Sequence, residues 1–317
     1  MRVPFPRFAA ALAAAGALLA LSAPPATAQP RPASPGCGSV APQPPGTSHD
    51  RTISSGGLDR TYRLHLPENY DARRPWPVVV VFHGRGNDAV RTEEFSKLST
   101  LPAVVAYPNG VVGLGDGDRQ AWQGAPYSAP GVDDVAFTGD LLDQLERELC
   151  VDTRRVYATG KSNGAGLTGL LACRMSDRIA AIAPVAGAFY PGTREDCEPG
   201  RPVPVIEFHG THDATIPYAG DAERDLPAIP DWVRGWADRN GCAGTTTSRR
   251  IEPDITVFRS HGCDRGAEVR HVAVDGGGHT WPGADVYSGG GETTQTIEAH
   301  EVLWHFVSRH RLPSSKD

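Results

Sequence analysis

Apart from one run near the N terminus, no segment of this sequence stays apolar for long enough to reach across a membrane. That run, Phe8 to Leu21, is itself shorter than the roughly 20 residues a span needs. It follows Arg2 and Arg7 and precedes Ala26-Thr27-Ala28, small residues suited to cleavage, so residues 1–28 read as a secretory signal peptide. The chain has no excess of positive charge. Its 31 Lys and Arg stand against 37 Asp and Glu, a net of −6, and removal of Arg2 and Arg7 makes the balance more negative. This excludes the basic footprint of a nucleic-acid or anionic-membrane partner. The acidic residues in turn form no long run. There is no C-x-x-C pair and no clustered Cys/His spacing, so no metal site is expected. Internal repeats and a second compositional regime are also missing. Residues 51–317 therefore read as one large domain, preceded by a Pro-rich lead-in over 29–50.

The six cysteines, Cys37, Cys150, Cys173, Cys197, Cys242 and Cys263, all lie beyond the cleavage positions. An even number in an exported chain predicts disulfides, not free thiols. Proximity along the chain favours Cys242–Cys263 and Cys173–Cys197, which leaves Cys37–Cys150 to tie down the lead-in.

Hydrophobic patterning alternates between strands and helices. Arg60–Leu66 alternates like an edge strand, and Val78–Phe82 is a continuous β-branched run suited to a strand buried on both faces. Ala103–Pro108, Arg155–Ala158-Thr159, Ile179–Val185 and Val203–Phe208 are further strands. Thr245–Val274 reads as a hairpin leading into a last strand over Glu268–Val274. Helices are expected over Glu93–Thr100, after Asp133 or Asp134 through Leu149, over Asn163–Met175, over Pro230–Asn240 and around Ala299–Val307. Such alternation implies a doubly wound, mostly parallel sheet with helices on both faces.

The motif that stands out is Gly160-Lys161-Ser162-Asn163-Gly164, a G-x-S-x-G between a predicted strand and a predicted helix. In that setting the serine sits on a sharp turn with its Oγ above the C-terminal edge of the sheet. A hydroxyl needs a base at neutral pH. His279 follows the last strand and three glycines, so its loop can fold back over the turn. The orienting acid is expected at Asp213, just past the Val203–Phe208 strand. Asp275 lies on the same loop as the base, which makes it a poorer support, and Asp254 and Asp264 in the hairpin are weaker again. The order Ser162, Asp213, His279 is that of the α/β-hydrolase fold. An oxyanion would be held by the amide of Asn163, at a helix N terminus, and by an amide of His83-Gly84-Arg85-Gly86, with Arg85 expected first and Gly84 next.

These pieces resemble the secreted esterase family that holds feruloyl esterases and polyhydroxybutyrate depolymerase-like enzymes. The resemblance rests on His83-Gly84, Val132-Asp133-Asp134-Val135, Ala158 to Gly166, His209-Gly210-Thr211-His212-Asp213 and Gly277-Gly278-His279-Thr280-Trp281-Pro282-Gly283, in order along nearly the whole mature chain. It implies a Ser162–His279–Asp213 triad, an acyl-enzyme, no cofactor and an extracellular location. Lys161 departs from the Leu or Phe expected before the serine in many relatives and alters the surroundings of the turn. Trp281, Trp122 and Tyr127 are the aromatic side chains expected to stack on an acyl group. Polymer-degrading relatives carry a linker and a binding domain, whereas this chain ends soon after its last helix. The expected partner is therefore a small or oligomeric ester, including feruloylated polysaccharide, hydrolysed by a monomer. A polyester or general acyl ester ranks second and acyl transfer third.

Overall fold

The computed structural model describes Met1, residues 33–115 and residues 117–314. Residues 2–28 of the predicted signal peptide and the first residues of the lead-in lie outside the described residues. The chain divides after Pro30, and the fold is that of the second unit, 31–317.

The unit is built on a ten-stranded sheet. Its strands are β1 (Ser48–Ser55), β2 (Leu58–His65), β3 (Trp76–Phe82), β4 (Val104–Pro108), β7 (Val151–Lys161), β8 (Ala181–Val185), β9 (Val205–Gly210), β10 (Thr247–Glu252), β11 (Ile255–Ser260) and β12 (Val269–Val274). A separate small ribbon pairs β5 (Val111–Val112) with β6 (Gln120–Ala121). The order across the large sheet is β1-β2-β4-β3-β7-β8-β9-β12-β11-β10. The strands from β4 to β12 are parallel, and antiparallel strands close both edges.

Every residue of β3 is buried, as its unbroken apolar run predicts. Val78 and Val80 point to one face, where α2 (Asp134–Glu148), α3 (Asn163–Arg174) and α5 (Ile229–Arg239) bring Leu141, Leu171 and Trp236. Val79 and Val81 point to the other, where α1 (Ala89–Ser96) and α6 (Ala299–Val307) bring Phe95 and Phe306. The remaining helix is the short α4 (Pro191–Arg194).

Three details differ from the sequence reading. The first helix starts at Ala89 because Asp88 caps it, accepting from the Arg91 amide. The Arg60–Leu66 segment is not the edge, since β1 pairs outside it. β1 is mostly polar and exposed, so its sequence carries no apolar alternation. The choice of cap on α2 also resolves. Asp133 accepts from the Val135 and Ala136 amides at 3.0 Å, while Asp134 is buried against Arg60 at 2.8 Å.

The described part of the lead-in is stitched to the domain. Ser34 Oγ accepts from Val151 N at 2.9 Å, and Ala33 bridges Asp152. All three disulfides form in the pairing that chain proximity favours, Cys37–Cys150, Cys173–Cys197 and Cys242–Cys263. Among the described residues no helix is long and apolar enough to cross a membrane. The Cys37–Cys150 bridge spans 113 residues. Replacing both cysteines by serine is expected to cost about 2–5 kcal/mol by freeing the unfolded chain. Urea denaturation checks this, and an unchanged midpoint would assign the anchoring to Ser34 instead.

Candidate functional site

The site begins where β7 turns into α3. Ser162 has φ 57° and ψ −119°, a left-handed conformation that costs a non-glycine residue of order 1–3 kcal/mol. The surroundings enforce it. Ser162 N donates to Val185 O at 3.0 Å, and Ser162 O accepts from Gly166 N and Ala188 N at 3.1 and 3.0 Å. The turn packs against the end of β3 with no room for side chains. A Cβ at Gly164 would stand 2.2 Å from Phe82 O, and one at Gly160 would stand 2.7 Å from the same oxygen. Both glycines of the motif are therefore required by close approach of backbone.

Two other strand ends deliver the partners. Asp213 follows β9 and His279 follows β12, and His279 Nδ1 lies 2.7 Å from Asp213 Oδ2. The loop carrying His279 folds back through His212 N to Gly277 O at 2.9 Å and His279 N to Gly290 O at 2.7 Å. The other carboxylate oxygen, Oδ1, accepts from the Thr215 and Ile216 amides, both at 2.8 Å. Burial by itself would raise the Asp213 pKa, but donation from His209 and His279 outweighs it and holds the carboxyl well below its usual range. Ser162 Oγ carries no hydrogen bond among the described residues. Catalytic hydrogen bonds of unliganded sites are often long and tighten only in complex. The rival acid Asp275 is exposed and touches Thr211 Oγ1 at 3.4 Å, with no histidine on it.

The amides of Asn163 and Arg85 have no acceptor among the described residues. Gly84 packs on Ser162, for a Cβ there would lie 3.3 Å from Ser162 Cβ. A buried lock that sequence reading did not find holds this loop. The Asn163 side chain exchanges two bonds with the Trp122 backbone, at 2.7 and 3.2 Å, and Trp122 Nε1 donates to His83 O at 2.9 Å. His83 Nε2 accepts from Gly110 N at 2.9 Å, so Nδ1 holds the proton and donates to Gly84 O at 2.7 Å. Burial lowers the His83 pKa to about 4, consistent with that neutral ring.

The aromatic expectations need correction. Trp122 and Trp281 are 0% and 1% exposed, so neither presents a face to a ligand. Trp122 packs edge-on to Phe82, and Trp281 packs against Phe95. Tyr127 is half-buried, with the Arg85 guanidinium 4.2 Å above its ring and Tyr190 edge-on at 5.8 Å. These three line an open cleft of about 850 Å³ that runs on from the Arg85 loop. Tyr190 precedes α4, an element without a clear sequence signature. Among the described residues no group of His, Cys, Asp and Glu is placed to hold a metal ion.

A mostly parallel sheet that delivers serine, carboxylate and histidine in this chain order, from three strand ends, defines the α/β-hydrolase fold. Comparison with known proteins narrows this. The chain is 30% identical over 278 residues to Feruloyl esterase D of Neurospora crassa, covering 83% of this chain and 87% of that protein. It is 28% identical over 266 residues to Feruloyl esterase B of Piromyces equi and 26% identical over 262 residues to a bifunctional acetylxylan esterase/xylanase of Neocallimastix patriciarum. It spans only 45% and 34% of the lengths of those two. Among solved structures, an acetyl xylan esterase from Aspergillus awamori superposes with a TM-score of 0.54 at 16% identity, over 73% of this chain and 94% of that one, which speaks for the fold alone. No protein-family model matches the chain. The chain belongs to the esterase family that includes the feruloyl esterases.

Lys161, directly before the serine, is 3% exposed and makes no hydrogen bond or ion pair among the described residues. Burial lowers its pKa to about 8, against the pull of Asp213. Burial first, and the Lys161 charge second, lower the His279 pKa to about 4 despite Asp213. An imidazole whose folded pKa lies below its free value stays neutral until the pH falls well under 6. Histidine ring NMR should show the His279 imidazolium only in that acid range. Lys161→Met should move the midpoint upward, and a midpoint that does not move would remove Lys161 from the balance.

Proposed function

We propose that this protein hydrolyses carboxylic esters through an acyl-enzyme, with Ser162 as nucleophile, His279 as base and Asp213 as orienting acid. The observation that carries the reading is the 2.7 Å His279–Asp213 pair at the ends of β9 and β12, in the same parallel sheet whose strand β7 ends in the strained Ser162 turn. As Ser162 Oγ attacks the carbonyl carbon, its proton passes to His279 Nε2. Asp213 keeps the Nδ1 proton in place and stabilises the imidazolium. The amides of Asn163 and Arg85 donate to the oxyanion, and Gly84 is the alternative donor in the same loop. His279 then protonates the departing alcohol. Water, deprotonated by the same ring, releases the acid and restores Ser162.

The substrate we favour is a feruloyl or related hydroxycinnamoyl ester of plant cell-wall polysaccharide. The relatives named feruloyl esterase support this, as does the tyrosine-walled cleft beside Arg85. An acetyl ester is the second reading, because one relative is named an acetylxylan esterase/xylanase. Export is proposed from the leader over 1–28, with the catalytic domain over 51–317. Three disulfides and the absence of a membrane-spanning helix among the described residues fit that location.

Ser162→Ala should lower kcat on the order of 10⁶-fold, as loss of a triad nucleophile does. Near-normal turnover by that variant would remove the mechanism. A hydrolysis panel of methyl ferulate, p-nitrophenyl acetate to octanoate, acetylated xylan and polyhydroxybutyrate film decides the acyl group. Tyr127→Ala should raise KM for methyl ferulate more than for p-nitrophenyl acetate. Equal effects on the two would take Tyr127 out of acyl recognition.

A further inference from the structure

Behind Asp213 lies a buried polar chain that the mechanism above does not use. Its members are Glu207 and His209 on β9, His271 on β12 and Tyr218 on the loop after β9. Glu207, His209 and His271 are 0%, 1% and 2% exposed. His209 Nδ1 is 3.0 Å from Glu207 Oε1. Its Nε2 is 2.9 Å from Ile216 O and 3.2 Å from Asp213 Oδ2. His271 Nδ1 is 2.7 Å from Glu207 Oε2, and its Nε2 is 2.7 Å from Tyr218 OH.

The hydrogen-bond inventory of the ring decides its state. A neutral imidazole has one N–H and one lone pair. Both nitrogens of His209 face only acceptors: a carboxylate on one side, and a carbonyl with a second carboxylate on the other. Either neutral tautomer would point a lone pair at an acceptor in a water-poor interior, a costly arrangement. Only the imidazolium donates on both sides. His271 differs, because the Tyr218 hydroxyl can donate to its Nε2 while Nδ1–H donates to Glu207. It is satisfied as a neutral ring.

We propose that His209 is a resident imidazolium, held by Glu207, that serves as a positioning residue for Asp213 and shares with His279 the carboxylate oxygen that orients the base. The inference rests on the Ser162–His279–Asp213 reading. Its consequences are two. Asp213 has donors on both oxygens, so the carboxylate cannot rotate away from His279. The second cation on Oδ2 also offsets part of the charge that would otherwise draw a proton onto His279, which keeps the base free at lower pH. The energetics agree in direction: burial opposes charging His209, yet its hydrogen bonds to Asp213 and Glu207 prevail and lift it to about 9. The other charge acting on this centre is Lys161 at the end of β7, which faces Asp213 and His279. β11 faces it with Phe258, which stacks on His271, and α5 supplies Arg234 at the rim of the neighbouring cavity.

The test combines one measurement on the unaltered protein with two variants. Ring-selective ¹⁵N NMR of the wild type at pH 7.5 should show protons on both nitrogens of His209. His209→Gln and Glu207→Gln should lower kcat on the order of 10²-fold, the scale of an ångström-sized misplacement, with little change in KM. In both, the acid limb of kcat/KM should move to higher pH, since the cation beside Asp213 is gone. A packing role would leave that limb in place. Labelling with a fluorophosphonate separates the two readings. No label at Ser162 in the wild type would remove the triad and this inference together. A labelled Ser162 with a singly protonated His209, or with an unmoved acid limb in folded variants, would overturn this inference alone. If neither variant folds, the wild-type spectrum still decides.

Discussion

The contact on which the rest depends is backbone against backbone, where the β7–α3 turn lies on the end of β3. Gly164 and Gly160 approach Phe82 O so closely that no side chain fits at either position. That approach aims Ser162, starts α3 at Asn163 and fixes the distance to the Gly84–Arg85 loop that follows β3. The same β3–β7 pairing runs in register from Val78↔Val156 to Phe82↔Gly160, so the sheet core and the turn are one continuous constraint. The strain at Ser162 persists because the strands on either side of it are buried and fully paired.

Much of this was legible in the residues. The unbroken Val78–Phe82 run, the glycines of the Ser162 turn and the order of Asp213 and His279 each carry a local physical signature: burial on both faces, close approach, and placement after a strand. Two cysteine pairings followed from short spacings, and the third, Cys37–Cys150, from what they left over. The sequence was also a good guide to its own departure at Lys161, which the fold buries close enough to His279 to act on its charge.

What the sequence did not show depends on contacts between distant segments. Trp122 and Trp281 look like ligand platforms when flanking glycine-rich loops are all that is seen. Only the packing of Phe82, His83 and Phe95 reveals them as interior residues. β1 is polar and earns its place by pairing with β2, not by a hydrophobic pattern. The Glu207–His209–His271 chain was invisible for the same reason. Its members sit on two strands that are neighbours in space and more than sixty residues apart in sequence. A glutamate inside an apolar strand was the available signal, since such a charge is rarely buried without partners.

The three disulfides close the chain over 37–150, 173–197 and 242–263. Ser162, Asp213 and His279 each fall in a stretch outside all three loops. A backbone cut inside 37–150, 173–197 or 242–263 leaves the two pieces tied by a disulfide, whereas a cut within 151–172, 198–241 or beyond 263, where these three residues sit, leaves them with no bond between them. The bridges guard the intervening segments against nicking, whereas the stretches that hold Ser162, Asp213 and His279 are kept in place by the pairing of β7, β8, β9 and β12.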